Sequence, residues 1–318
     1  MLTVIMPVHN TETKLFERAC YSVLGQTKHC LLMVVDDCSN EELSFKYANF
    51  CAVHNIGYHR LTINGGPGVA RQYGIDFGYI NAEWIAFLDS DDILLPTFCE
   101  ILTKEGNQHN ADMVISKIVR QGKDRTQDTF IDIDSCATWL HGKIFKRKFL
   151  KDNGIKFHPF LRYNEDVYFE ICCSKMTKNV AAIDKEFYIW SYNKNSLTHS
   201  KPHKEIIKEH TIDYLFANID ALSFLLEKEE VPFDFGTIVG QIYNAYQYEL
   251  VNGRNMGAID EYIGIKIKNL NITAQSEDFY SYMLAVTKTN YEGVIFRQSL
   301  ADWLIHFQEV INNGSNND

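Results

Sequence analysis

Leu31-Leu32-Met33-Val34-Val35-Asp36-Asp37-Cys38-Ser39 is the stretch on which the fold turns, and Trp84-Ile85-Ala86-Phe87-Leu88-Asp89-Ser90-Asp91-Asp92 repeats its logic. In each, an unbroken apolar run stops abruptly in acids. A run of that length reads as a strand covered on both faces, as in a parallel sheet. Between and before the two runs the sequence alternates. Thr3–Met6 is a third apolar run, stopped by Pro7. Thr11–Leu24 places Leu15, Ala19 and Val23 at helical spacing, with Gly25 as its stop. Asn40–Cys51 reads as a helix and Gly57–Ile63 as a shorter strand. Val69–Gly78 resumes a helical pattern after Asn64-Gly65-Gly66-Pro67-Gly68. Strand, helix, strand, helix, strand predicts a Rossmann-like α/β fold, a mostly parallel sheet with flanking helices. In such sheets ligands bind beyond the carboxyl ends of the strands, where both acidic clusters fall.

Further along, Asp112–Val119, Phe130–Asp134, His141–Phe145 and Glu186–Tyr192 read as strands, and Lys146–Asn153 and Asp166–Lys175 as helices. From about Lys204 the texture becomes helical: Glu205–Glu230, Thr237–Asn252, Ile259–Lys268, Ser276–Thr287 and Ser299–Asn312. A boundary near residue 200 follows from that change alone. It gives an α/β domain over 1–200 and a helical region over 201–318.

The 318 residues are enough to bury a core without disulfide or metal staples. With the first strand at Thr3, no secretory leader is expected, and the apolar runs fall far short of the ~20 residues of a membrane helix. A formal charge of −10 is a poor footprint for gripping bare phosphate backbone. The eight cysteines include no CxxC pair, so zinc ribbons and redox motifs are not expected, and the natural reading is a reduced, cytoplasmic compartment. Cys172-Cys173 reads as two ordinary thiols rather than a vicinal disulfide.

Asp89, Asp91 and Asp92 stand on a loop leaving a buried strand. Such carboxylates either converge on a hard divalent cation or cap the next helix. Ile93 at the third liganding position excludes an EF-hand. Asp37 has the same two readings, nucleotide contact or helix cap. Three glycines in Asn64–Gly68 let backbone approach a ligand closely, yet there is neither a GxGxxG after the first strand nor a Walker motif. Arg71 neutralises a phosphate, braces Asp37 or makes an ordinary surface ion pair. Trp139, Lys143 and Lys146-Arg147-Lys148 form either a basic aromatic shelf or a solvated face. No GxSxG, HExxH or Cys–His pairing offers a nucleophile or a zinc site.

Taken in order, these segments resemble glycosyltransferase family 2, inverting enzymes of the GT-A fold. The resemblance runs through Val4–Asn10, Ser22–Thr27, Val34–Ser39, Asn64–Arg71 and Phe87–Asp92. It continues through Trp139–Phe145, Phe157 and Tyr163–Phe169, covering about residues 1–200. It implies a nucleoside diphosphate sugar, most often a UDP-sugar, held by residues 1–110, with the acceptor side in 111–200. By the same resemblance, Pro7, Val8, Asn10, Asp37, Gly68 and Arg71 surround the nucleotide. Asp89 and Ser90 lie near the ribose or sugar, Asp91 binds Mn²⁺ or Mg²⁺ across the two phosphates, His199 touches the pyrophosphate or metal, and Asp166 is the general base. The implied acceptor is a surface glycan or lipid-linked saccharide, with protein and hydroxylated DNA bases as further acceptors of the family. Residues 201–318 then serve acceptor binding or homo-oligomer formation. Two other readings stand beside it. A sugar nucleotidyltransferase would want a Gly-rich phosphate loop where Pro7-Val8-His9-Asn10 stands. An inactive nucleotide-sugar-binding module would have lost one of Asp37, Asp89, Asp91 or Asp166.

Overall fold

The three apolar runs lie side by side as parallel strands. In the computed structural model, β1 (Leu2–Val8) pairs with β2 (Leu31–Asp36) on one side and β4 (Trp84–Phe87) on the other, and β2 pairs with β3 (Gly57–Arg60). The structure describes residues 1–122, 128–131, 139–194, 196, 203–228, 236–267 and 300–315. β1 runs through Pro7, further than its sequence suggests. Pairing with β4 ends at Ile5↔Phe87, and Pro7, two residues beyond Ile5, would turn its N–H to that same vacated side. The missing donor therefore costs no ladder bond.

Crossover helices α1 (Thr13–Leu24), α2 (Glu41–Val53) and α3 (Pro67–Phe77) connect these strands. Their signals match the sequence. Asn40 caps α2 by accepting from the Leu43 N–H, and Pro67 begins α3 after Gly66, whose φ of 89° a side chain would oppose. At Gly74, α3 lies so close to β1 that a Cβ would fall 2.4 Å from Ile5 Cγ2.

The sheet continues past β4 with β8 (Lys143–Lys146), β6 (Met113–Gln121), β9 (Val180–Trp190) and β5 (Ile93–Leu94), while β7 (Asp128–Ile131) pairs with β6. Its order is β3-β2-β1-β4-β8-β6-β9-β5. β8 is antiparallel to both β4 and β6, and β6 and β9 are parallel, so this half is mixed. β5 and the helix α4 (Phe98–Gln108) occupy a stretch to which the sequence reading gives no element. β9 begins six residues before the expected Glu186, on the half-exposed Val180–Lys185. Helices α5 (Arg147–Asn153) and α6 (Glu165–Met176) complete this unit, Met1–Ser200. Its largest core cluster gathers Phe16, Tyr47, Trp84, Phe98, Phe187 and Tyr188 around the sheet.

The second compact unit is Lys201–Asp318. Its described helices are α7 (His203–Glu227), α8 (Gly236–Val251), α9 (Met256–Lys266) and Leu300–Ser315. The last two cross closely, with Gly314 against Gly264. Tyr262 donates to Asp220, and Tyr246, Asp260 and His306 form a polar cluster. The expected helix Ser276–Thr287 lies outside the described residues. Among the described residues no helix is long and apolar enough to cross a membrane, and the seven described of the eight cysteines carry thiols rather than disulfides.

Candidate active site

The strand order puts the topological switch between β1 and β4, and the site forms at their carboxyl ends. Three non-glycine residues around it, Asn10, Cys38 and Asn164, have φ near +55°, at 51°, 58° and 57°. Asn tolerates this conformation and Cys does not favour it, so the turn after Asp37 holds backbone strain of the kind found at ligand sites.

The two acids that end β2 do different work. Asp36 is fully buried and accepts from Ser39 N–H, Ser44 Oγ–H and Tyr58 Oη–H at 2.8, 2.6 and 2.8 Å. Burial opposes its charge, but these bonds outweigh it and hold its carboxyl below the usual range. Asp37 accepts the N–H groups of Gly65 and Gly66 at 2.7 and 2.8 Å, fastening the glycine loop to the end of β2. Pro7 and Val8 are buried and Asn10 is exposed, with its Oδ1 accepting from the backbone and side chain of Asn40.

Arg71 is buried in α3 and joins the two halves of the site. Its Nη1 donates to Glu165 Oε1 and its Nη2 to Asp89 Oδ1, each at 2.6 Å. Of the sequence readings for Arg71, a surface ion pair is excluded by its burial, and bracing is the one seen here, but of Asp89 and Glu165 rather than Asp37. Gly68 is required beneath this contact, because a Cβ there would lie 2.8 Å from Glu165 Cγ. Burial works against the Asp89 charge, yet Arg71 and His141 hold its carboxyl well below the ordinary value. Glu165 is pushed up by burial and then by Asp166, against the pull of Arg71.

The loop after β4 is bolted to the end of β9. Asp92 is buried and accepts from Tyr188 Oη–H at 2.7 Å and Ser191 N–H at 2.8 Å. Asp91 accepts from Asn193 Nδ2–H at 2.7 Å, while Arg18 of α1 donates to the Asp91 carbonyl and to Ser191 Oγ. Ser90 shares a hydrogen bond with Thr11 at 2.7 Å. Burial raises the carboxyls of both Asp91 and Asp92, that of Asp92 strongly, with repulsion from neighbouring Asp89 adding to each.

Asp89, Asp92 and His141 bring one ligand atom each to within 4.8 Å of one another. His141 Nε2 lies 3.3 Å from Asp89 Oδ2 and 3.9 Å from Asp92 Oδ2, and its Nδ1 is buried without a hydrogen-bond partner. The ring sits beside Tyr188 and Trp190. These two carboxylates with one imidazole fit a divalent cation of the Mn²⁺ or Mg²⁺ type. Asp91, the ligand expected from sequence, is not one of the three, and its carboxylate accepts from Asn193.

Asp166 is the second residue of α6, half-buried, with Oδ1 accepting the Val167 N–H at 2.9 Å. Burial raises its carboxyl against the opposing charges of Arg71 and His141. The structure thus gathers Asp89, Arg71 and Asp166 with Asp91 and Ser90 close by. Asp37 fastens the glycine loop, and Gly68, in α3, leaves room for Glu165. His199 lies outside the described residues. His141, Tyr188 and Arg18 join the site without having been singled out in sequence, and Glu165, which sequence shows only as an acid beside Asp166 at a helix start, joins it as a partner of Arg71. A histidine two residues after a tryptophan carries no spacing signal, and Tyr188 and Arg18 meet the acids only through tertiary pairing. The basic shelf does not form. Lys143 is buried, and Arg147 donates to the carbonyls of Ala82, Ile75 and Tyr79.

Among known proteins, the profile of Glycosyl transferase family 2 matches residues 3–161. Over 252 residues the chain is 29% identical to poly(ribitol-phosphate) beta-N-acetylglucosaminyltransferase TarP of Staphylococcus aureus (strain N315), covering 72% of this chain and 73% of TarP. It is 24% identical over 231 residues to the uncharacterized glycosyltransferase EpsJ of Bacillus subtilis (strain 168), covering 66% of each. The crystal structure of S. aureus TarS 1-349 in complex with UDP superposes with a TM-score of 0.60 at 16% identity, over 98% of this chain and 88% of that one. Its complex with UDP-GlcNAc gives 0.56 at 19% identity, over 95% and 94%. At such identities the structural likeness speaks for the fold.

Proposed function

The chain belongs to glycosyl transferase family 2, and from that premise we propose that it transfers a sugar from a UDP-sugar to an acceptor hydroxyl with inversion, Asp166 acting as general base. That it is a glycosyltransferase using a nucleotide-sugar follows from the family and its named relatives. The observation that carries the finer reading is the Arg71 bridge. It ties Asp89, at the end of a donor-side strand, to Glu165, the neighbour of Asp166, through two 2.6 Å contacts. Donor-side acid and base are thereby parts of one rigid site.

The reaction requires a hydroxyl to lose its proton as it attacks the anomeric carbon. Asp166 accepts that proton, and its raised carboxyl makes it a better base than an exposed aspartate. One direct displacement inverts the sugar, so no enzyme nucleophile is required. We assign the base and ribose to the surface formed by Pro7, Val8, Asn10 and the loop that Asp37 fastens. Gly68 leaves room for Glu165, Arg71 acts from beneath, and Asp89 and Ser90 lie toward the ribose and sugar. Asp89, Asp92 and His141, with Asp91 as a further carboxylate from the same loop, would hold a Mn²⁺ or Mg²⁺ ion; His199 is the further ligand proposed. Such an ion, when bound, offsets the charge that gathers on the departing diphosphate.

TarP and TarS are named poly(ribitol-phosphate) N-acetylglucosaminyltransferases. UDP-GlcNAc is therefore the first donor to try, and the hydroxyls of a polyol-phosphate or another cell-surface polymer the first acceptor. The test is nucleotide release from UDP-, GDP-, CDP- and TDP-sugars with Mn²⁺ and with EDTA. The proposal expects turnover of a UDP-sugar that EDTA and Asp91→Asn abolish. Turnover of a UDP-sugar unchanged by EDTA would remove the metal from the account, and neither turnover nor binding of any UDP-sugar would remove the donor assignment.

A further inference from the structure

Behind the site, Lys143 at the start of β8 faces Glu170 on α6, with Nζ 3.0 Å from Oε2 and side chains 1% and 0% exposed. The activity proposed above uses neither. Neither Glu170 oxygen nor the Lys143 nitrogen makes an aligned hydrogen bond to any group. Phe145 and Phe169, stacked edge to face at 5.4 Å, come from the same two elements, and Cys173 follows one turn along α6. Desolvating two charges largely cancels their attraction, so such a pair adds little net stability, and its best-attested use is to fix register.

The register fixed here matters for Asp166. It lies four residues before Glu170, one turn up the same helix face. His141, whose charge acts on Asp166, lies two residues before Lys143, just ahead of β8. Sliding α6 by one residue, about 1.5 Å, would leave two buried charges unpaired. It would also carry Asp166 away from the acids. We propose that the Lys143–Glu170 pair is a register lock, a positioning device that sets where Asp166 stands over the donor. This rests on the reading of Asp166 as the base.

The experiment compares wild type, the double variant Lys143→Met/Glu170→Leu, the charge-swapped Lys143→Glu/Glu170→Lys, the single Glu170→Gln, and Asp166→Asn. Thermal melting, UDP affinity by calorimetry and turnover of the UDP-sugar are read for each. The lock predicts that the double variant folds and binds UDP within about twofold of wild type, yet loses roughly 10- to 100-fold in kcat, as misplacement by about 1 Å entails. A merely structural pair would lower melting and leave kcat intact, and a kcat within about twofold of wild type overturns the lock. Should the double variant not fold, the swap decides. Turnover recovered above that of Glu170→Gln supports the lock, and turnover no better than that single variant overturns it. Asp166→Asn separates the two claims. If it keeps wild-type turnover, the base reading fails and takes the lock with it. If it is inactive while the double variant turns over normally, only the lock fails.

Discussion

Replacing Arg71 by Met should destabilise the first unit, and its cost should depend on pH. The guanidinium is 6% exposed and neutralises Glu165, 7% exposed, and Asp89, 34% exposed, through two 2.6 Å contacts. Removing one partner of a buried pair costs about 3–5 kcal/mol, because it strands a charge. The Asp89 half deserves a discount, since water reaches it. About 3 kcal/mol is then the working figure, carried mostly by Glu165. For a unit of this size that corresponds to a fall of roughly 6–12 °C in Tm. The carboxyl of Glu165 is already raised by burial and by Asp166, and losing Arg71 raises it further. Below that raised value Glu165 holds a proton and needs no cation. Scanning calorimetry of wild type and Arg71→Met at about pH 8 and about pH 5.5 should therefore show the larger deficit at the higher pH. A deficit under about 2 °C at the higher pH, or an equal deficit at both, would refute the stranded-charge reasoning.

Other consequences are simpler to read. Gly68→Ala sets a Cβ 2.8 Å from the Glu165 Cγ, which Arg71 holds in place, so overpacking should cost about 1–3 kcal/mol in chemical denaturation and lower turnover. Tyr188→Phe removes the 2.7 Å donor to buried Asp92 and should cost about 1–3 kcal/mol, visible as a lower Tm. Glu170, pushed by burial to about 7 from 4.5, binds its proton more tightly folded than unfolded. Its contribution to stability should be present at pH 4.5 and below and fade as pH rises to about 7; Glu170→Gln should flatten that slope in melts across the window.

β1, β2 and β4 were legible because they are buried on both faces and, apart from Thr3, carry no polar residue to blur the run before its end. Leu31–Val35 and Trp84–Phe87 needed only their hydrophobicity to be placed, and the acids after them only the rule that ligands sit beyond strand ends. β9 was harder, since Val180–Lys185 is mostly exposed or half-buried, ends in Asp184 and Lys185, and lacks that signature. Helix α4 buries Phe98, Cys99, Leu102 and Gly106, a stripe whose Gly106 reads as a breaker until Trp84 is seen packed where its Cβ would be. The site divides in the same way. Asp89, Asp91 and Asp166 sit on motifs continuous in sequence. His141, Tyr188 and Arg18 reach the acids from the turn before β8, from β9 and from α1, a meeting that strand order creates and no local pattern announces. Arg71 was legible as a charged residue near the site, but its partners 18 and 94 residues away were not.

The central claim, that Asp166 takes the acceptor proton in a UDP-sugar transferase, is tested most directly by Asp166→Asn. UDP affinity by calorimetry and sugar turnover should be measured on the same preparation. The account predicts UDP binding within about twofold of wild type and turnover reduced by roughly 10² or more, the usual worth of a general base. Turnover near wild type with UDP binding intact would contradict it.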